Sequence, residues 1–116
     1  MRNIDSLRTK AEFDAVYRKH RSYADPNLVV YIADGTGKIG IVCRKKVGNS
    51  VVRHHFARLI REAYRLNKTH IRKDKDMIVL ARKSAKDQGF TEIESSLISL
   101  LKRHSIYEEE SGTETS

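Results

Sequence analysis

The chain has 116 residues, enough for one compact domain and too few for two. Its 23 lysines and arginines against 15 acids leave a formal net charge of +8, a balance that attracts polyanions. A single cysteine excludes an internal disulfide, no apolar run approaches the ~20 residues of a membrane span, and the opening MRNIDSLRTK lacks an apolar signal stretch. A cytoplasmic location with no membrane partner is therefore expected.

The charge is unevenly spread. Glu108, Glu109, Glu110 and Glu114 belong to a tail without lysine or arginine, and with that tail set aside 23 cationic residues face 11 acids. Between Arg44 and Lys73, ten lysines and arginines stand against one acid, Glu62. A merely solvated surface spreads its charge, whereas concentration in one segment points to nucleic acid.

In chain order, Thr9-Lys10-Ala11-Glu12 fits a capping box, and Phe13, Val16 and Tyr17 follow at helical spacing, which predicts a helix near 9–19. Ser22 to Ala24 fits a short strand ending at Asp25-Pro26. Leu28 to Ala33 and Lys38 to Cys43 are β-branched runs separated by Asp34-Gly35-Thr36-Gly37, the pattern of a β-hairpin, with Cys43 a small buried residue in its second strand. The longest periodic segment is 50–66, with Asn49 or Ser50 as cap. Val52, Phe56, Leu59, Ile60 and Ala63 form its apolar stripe, and His54, Arg58, Arg61 and Arg65 line the opposite side. Met77 to Leu80 mark 76–82 as a buried strand. Thr91 with Glu94 suggests a second capping box, opening a helix that buries Ile93, Leu97, Leu100 and Leu101. The expected architecture is an α+β sandwich in the order α-β-β-β-α-β-α, a single domain over 1–107 followed by a disordered acidic tail at 108–116.

The approach to the long helix sharpens the functional reading. Lys45-Lys46-Val47-Gly48-Asn49 leads directly into it, so a flexible glycine and two lysines stand where a helix N-terminus offers amide groups to a phosphate. Lys45-Lys46-Val47-Gly48-Asn49-Ser50-Val51-Val52-Arg53, followed by Arg58-Leu59-Ile60-Arg61-Glu62-Ala63-Tyr64-Arg65, resembles the signature segment of the bacterial ribonuclease P protein. Phe13 to Tyr17 resemble that family's first helix and Asp76 to Arg82 its last strand, so the likeness extends over roughly 4–106. One departure stands out. Where the family usually has Arg-Asn-Arg, an apolar residue, Lys and Arg, this chain has Arg53-His54-His55-Phe56-Ala57-Arg58. Two permanent charges are lost, which leaves RNA contacts there weaker, moved to neighbours or dependent on pH.

The resemblance implies a protein subunit that assists a catalytic RNA in removing the 5′ leader of precursor tRNA. It implies RNA binding through Lys45, Lys46, Asn49, Arg53, His54, Arg58, Arg61 and Arg65, and a leader cleft at Phe13, Tyr17 and Tyr31. It also implies a left-handed crossover from strand 38–43 through helix 50–66 to strand 76–82, where general chirality rules predict a right-handed one. The partners would be the catalytic RNA and precursor tRNA. No cofactor would be held by the protein alone, with magnesium belonging to the holoenzyme. From the residues themselves, Phe13 and Tyr17 also fit ordinary core contacts.

Other classes fit less well. Adjacent histidines such as His54 and His55 diverge by ~100° on a helix and cannot converge as an acid and base. His54 falls with the arginines, and His55 toward the edge of the apolar stripe, half-buried. His20, His70 and His104 have no motif around them, and one cysteine without C-x-x-C or H-x-x-x-H spacing predicts no metal site. No catalytic residues are assigned. A ribosomal-protein-like structural RNA binder is the alternative. DNA binding is not expected, because no helix-turn-helix pair is evident.

Overall fold

The computed structural model describes residues 5–108, so the expected acidic tail lies, Glu108 apart, outside the described residues. Helix α1 spans Lys10–Tyr17, followed by strands β1 (Ser22–Ala24), β2 (Leu28–Asp34) and β3 (Ile39–Val42). Helix α2 (Ser50–Asn67), strand β4 (Lys75–Ala81) and helix α3 (Phe90–Arg103) complete the order expected from sequence. The Thr9 capping box is present: the Glu12 amide donates to the Thr9 hydroxyl at 3.1 Å, and the Glu12 carboxylate accepts the amides of Arg8 and Thr9. Those amides, together with Lys38, lower the Glu12 carboxyl to about 2, so it is ionised at neutral pH and ties α1 to the entrance of β3.

The hairpin expectation is overturned. The strand order is β1-β2-β4-β3, so β4 lies between the two runs that were expected to pair. β2 pairs antiparallel with β4 from Leu28↔Ala81 to Asp34↔Lys75, and β3 runs parallel to β4 from Ile39↔Met77 to Val42↔Leu80. The turn residues between β2 and β3 instead carry the chain over the start of β4. There the Asp76 carboxylate accepts the amides of Thr36 (3.0 Å), Gly37 (3.1 Å) and Lys38 (2.8 Å). Any side chain at Gly35 would meet that carboxylate, its Cβ falling 2.2 Å from the carboxyl carbon.

The sheet is covered on both faces. Leu28, Val30 and Ile32 of β2 and Met77, Val79 and Ala81 of β4 face α2 and α3, joining Phe56, Ile60, Ala63, Ile93, Leu97, Leu100 and Leu101 in the main core. The alternate residues Ala33 and Ile78 face α1, with Leu7, Val16, Phe13, Tyr17, Tyr31 and Val42 around them. The expected second capping box does not form. α3 starts two residues earlier, and the Gly89 amide donates to the Glu92 carboxylate (3.1 Å). Glu94 instead accepts a bond from the buried Asn67 side chain (2.9 Å).

Phe13 packs its ring over Gly40 of β3 because that position has no side chain, a Cβ there falling 2.5 Å from the ring. Strand propensity alone favours alanine over glycine. The contact predicts the opposite, a loss of ~1–3 kcal/mol for Gly40→Ala as Phe13 is forced outward. Urea denaturation measures it, and an unchanged or raised midpoint would contradict the packing.

Candidate nucleic-acid interface

The outer face of α2 is cationic because its inner face is fully committed to the core. Phe56, Ile60, Ala63 and Tyr64 are buried, so His54, Arg58, Arg61 and Arg65 are left outward, all exposed. Arg58 and Arg61 have no ion-pair partner among the described residues. Arg65 differs: its guanidinium holds Glu62 at 2.6 Å, which lowers that carboxyl and raises the arginine. Arg53 is half-buried, and its enclosed Nε has no hydrogen-bond partner among the described residues. With Cys43, Ser50, His54, Ala57 and Arg61 it borders a recess of about 320 Å³.

Two expectations change here. His55 is exposed rather than half-buried, its ring edge-on to Phe56 at 5.9 Å, because α2 turns that position past the rim of its stripe. Cys43 lies beyond the end of β3 and is half-buried, with burial pushing its thiol up against the opposing charge of Arg53. Asn49, one of the two residues expected to cap α2, does so, its side-chain oxygen accepting the Val52 amide at 3.0 Å.

The approach to α2 forms a short 3-10 turn, Lys45–Val47, that buries Val47 and leaves both lysines exposed. Gly48 allows the turn to close on the helix, a Cβ there falling 2.7 Å from Val52. Lys46 does not join the arginines of α2. It lines a groove of about 780 Å³ with Ala24, Val29, Leu80, Arg82 and Lys83 on the opposite face of the sheet. Strand register places Ala24, Val29 and Leu80 in one row across that face, next to the row of Ser22, Tyr31 and Ile78 on which α1 rests. Tyr17 and Tyr31 meet edge to face at 4.9 Å beside the groove. Phe13, Tyr17 and Tyr31 are thus brought together, all half-buried, with Phe13 the one that packs onto the sheet.

Arg82 and Lys83 were missed by the sequence reading. Parallel β3 and β4 end at the same edge, so the segments that follow them, Arg44-Lys45-Lys46 and Arg82-Lys83, converge. The signal was two basic steps after two strands that the implied crossover already made parallel.

The histidines do not assemble a reaction centre. His70 contacts the Glu108 carbonyl, His104 the Val30 carbonyl at 2.8 Å, and His20 sits exposed in a turn with φ 56°. Among the described residues no group of three or more His, Cys, Asp or Glu could hold a metal ion, and no helix is long and apolar enough to cross a membrane.

A small α+β domain with a cationic helix face on one side of the sheet and, on the other, a groove rimmed by lysine and arginine beside a tyrosine pair defines a class: nucleic-acid-binding proteins. Comparison with known proteins is specific. The family model for ribonuclease P matches residues 1–105. The ribonuclease P protein component of Clostridium novyi is 42% identical over 112 residues, 92% of this chain and 99% of that protein. That of Lachnoclostridium phytofermentans is 41% identical over 105 residues, 88% and 90% of the two chains. Solved structures of the ribonuclease P protein from Staphylococcus aureus (TM-score 0.80, 33% identity, 95% of this chain and 97% of that one) and Thermotoga maritima (0.78, 28%, 85% and 96%) share the fold. The chain belongs to the ribonuclease P protein family, and its role is that of the protein subunit in tRNA 5′ processing.

Proposed function

We propose that the chain binds the catalytic RNA of ribonuclease P through the outer face of α2. The single-stranded 5′ leader of precursor tRNA then lies in the groove beside α1, and cleavage belongs to the RNA. The observation that carries this reading is the separation of two surfaces by the sheet. Arg58 and Arg61 stand exposed on one side, and the Tyr17–Tyr31 pair with Lys46, Arg82 and Lys83 stands on the other. A phosphate backbone needs fixed cations, and an unpaired strand needs cations plus ring surfaces for its bases. In this reading the magnesium of the holoenzyme is held by the RNA.

The test is reconstitution. Purified protein alone is expected to leave precursor tRNA intact, while addition to the catalytic RNA raises cleavage at low magnesium. Cleavage by the protein after stringent removal of RNA and contaminating nucleases would overturn the assignment. His55→Arg restores a charge that the family usually carries, at an exposed position. It is expected to steepen the log–log salt dependence of catalytic-RNA binding by up to ~0.9. An unchanged slope would place His55 outside the RNA footprint.

A further inference from the structure

A second combination of cations and ring surface lies at the far edge of the sheet, where β1 is the terminal strand. Tyr23 is 41% exposed although its ring is large. The Arg103 guanidinium stacks on that ring at 4.4 Å, and His104, held by the Val30 carbonyl, meets it edge-on at 4.8 Å. Arg103 also donates to the Ala24 carbonyl at 3.5 Å, which fixes the plane of the stack. From Arg103 a shallow groove of about 650 Å³ follows the outward side of α3, lined by Ser95, Ile98, Ser99 and Lys102. Glu94, at its far end, is bonded to Asn67.

We propose that this groove is a second surface for the catalytic RNA, taking an unpaired stretch of it. A base would stack at Tyr23–Arg103, and the adjoining phosphates would face Lys102 and the two serine hydroxyls. Ring and guanidinium planes hold unpaired bases, and hydroxyl and ammonium donors hold phosphates. The choice of RNA follows from layering and rests on the reading above. α3 packs beside α2 on the same face of the sheet, so an RNA seated on Arg58 and Arg61 continues onto α3. The leader groove lies on the opposite face.

The test uses the reconstituted holoenzyme with a photoreactive benzophenone side chain at position 99, and at position 58 as reference. Crosslinking of position 99 to the catalytic RNA is the expected result. Crosslinking only to precursor tRNA, to a second copy of the protein, or to nothing while position 58 reaches the catalytic RNA would overturn the proposal and leave the α2 reading standing. Position 99 reacting while position 58 does not would uphold the groove and overturn the α2 reading, and silence at both positions would remove both. In parallel, Tyr23→Ala combined with Arg103→Gln is expected to weaken catalytic-RNA affinity about tenfold, with Tyr23→Phe unchanged. Affinity of the double variant within twofold of the parent, with an unaltered circular dichroism spectrum, would equally overturn it.

Discussion

Replacing Arg58 and Arg61 together with alanine is expected to weaken catalytic-RNA binding by about 30-fold near physiological salt. It is also expected to lower the log–log salt slope by just under ~2 units. Each exposed charge-assisted contact contributes ~1 kcal/mol after screening, and each phosphate neutralised by protein releases somewhat under ~1 counterion. Both arginines are exposed and unpaired among the described residues, so their removal orphans no buried charge. The stripe of Phe56, Ile60 and Ala63 is untouched, and alanine is the best helix former, so α2 remains folded. Arg65→Ala makes a useful contrast. It releases Glu62 from its 2.6 Å ion pair, and the bare carboxylate then faces the RNA. Its loss is therefore expected to exceed that of one arginine removed without exposing an acid. Unchanged affinity and slope in the Arg58/Arg61 double variant, with normal circular dichroism, would move the RNA surface away from α2.

How far the fold could be read in advance depended on whether a signal was local. The Thr9–Glu12 capping box and the apolar stripe of α2 are contained within one or two turns, and both appear as expected. The hairpin failed because turn residues state that the chain reverses without saying which strand it reverses against. Met77, Ile78 and Val79 are consecutive and all buried, the mark of a strand covered on both faces, and such a strand takes the central place that a β2–β3 hairpin would have closed. At α3 the expected Thr91–Glu94 box does not form: the helix begins after Gly89, whose amide donates to Glu92, and Glu94 accepts a bond from Asn67 of α2.

The site was legible to a similar degree. Helical spacing alone placed His54, Arg58, Arg61 and Arg65 on one face. It could not show that Lys46, two residues before the Gly48-Asn49 turn, belongs to the other side of the sheet, because that depends on β3 and β4 ending together. Arg82 and Lys83 were lost for the same reason. Glu62 was noticed as the single acid among ten basic residues, and only the structure shows that it occupies one of them.

Tyr31→Ala is expected to remove about one order of magnitude of the affinity that precursor tRNA gains from its 5′ leader, while binding of leaderless tRNA to the holoenzyme barely changes. Stacking a base on an aromatic ring contributes ~1–3 kcal/mol, and Tyr31, paired with Tyr17, stands in the row next to Val29 and Leu80, beside the groove that those two residues line. Tyr31 also packs against the minor core, so its truncation costs folding stability as well. That second effect is separable. A lower folded fraction reduces binding of both RNAs by the same factor and cancels in their ratio, whereas loss of a stacking platform changes the ratio itself. Tyr31→Phe keeps the ring and is expected to keep the ratio, and Tyr31→Leu keeps apolar contact without the ring and is expected to lose most of it. Binding titrations of precursor and mature tRNA to holoenzyme carrying each variant give the ratio directly. Equal losses for the two RNAs in Tyr31→Ala would assign the residue to packing alone and place the leader elsewhere on the protein.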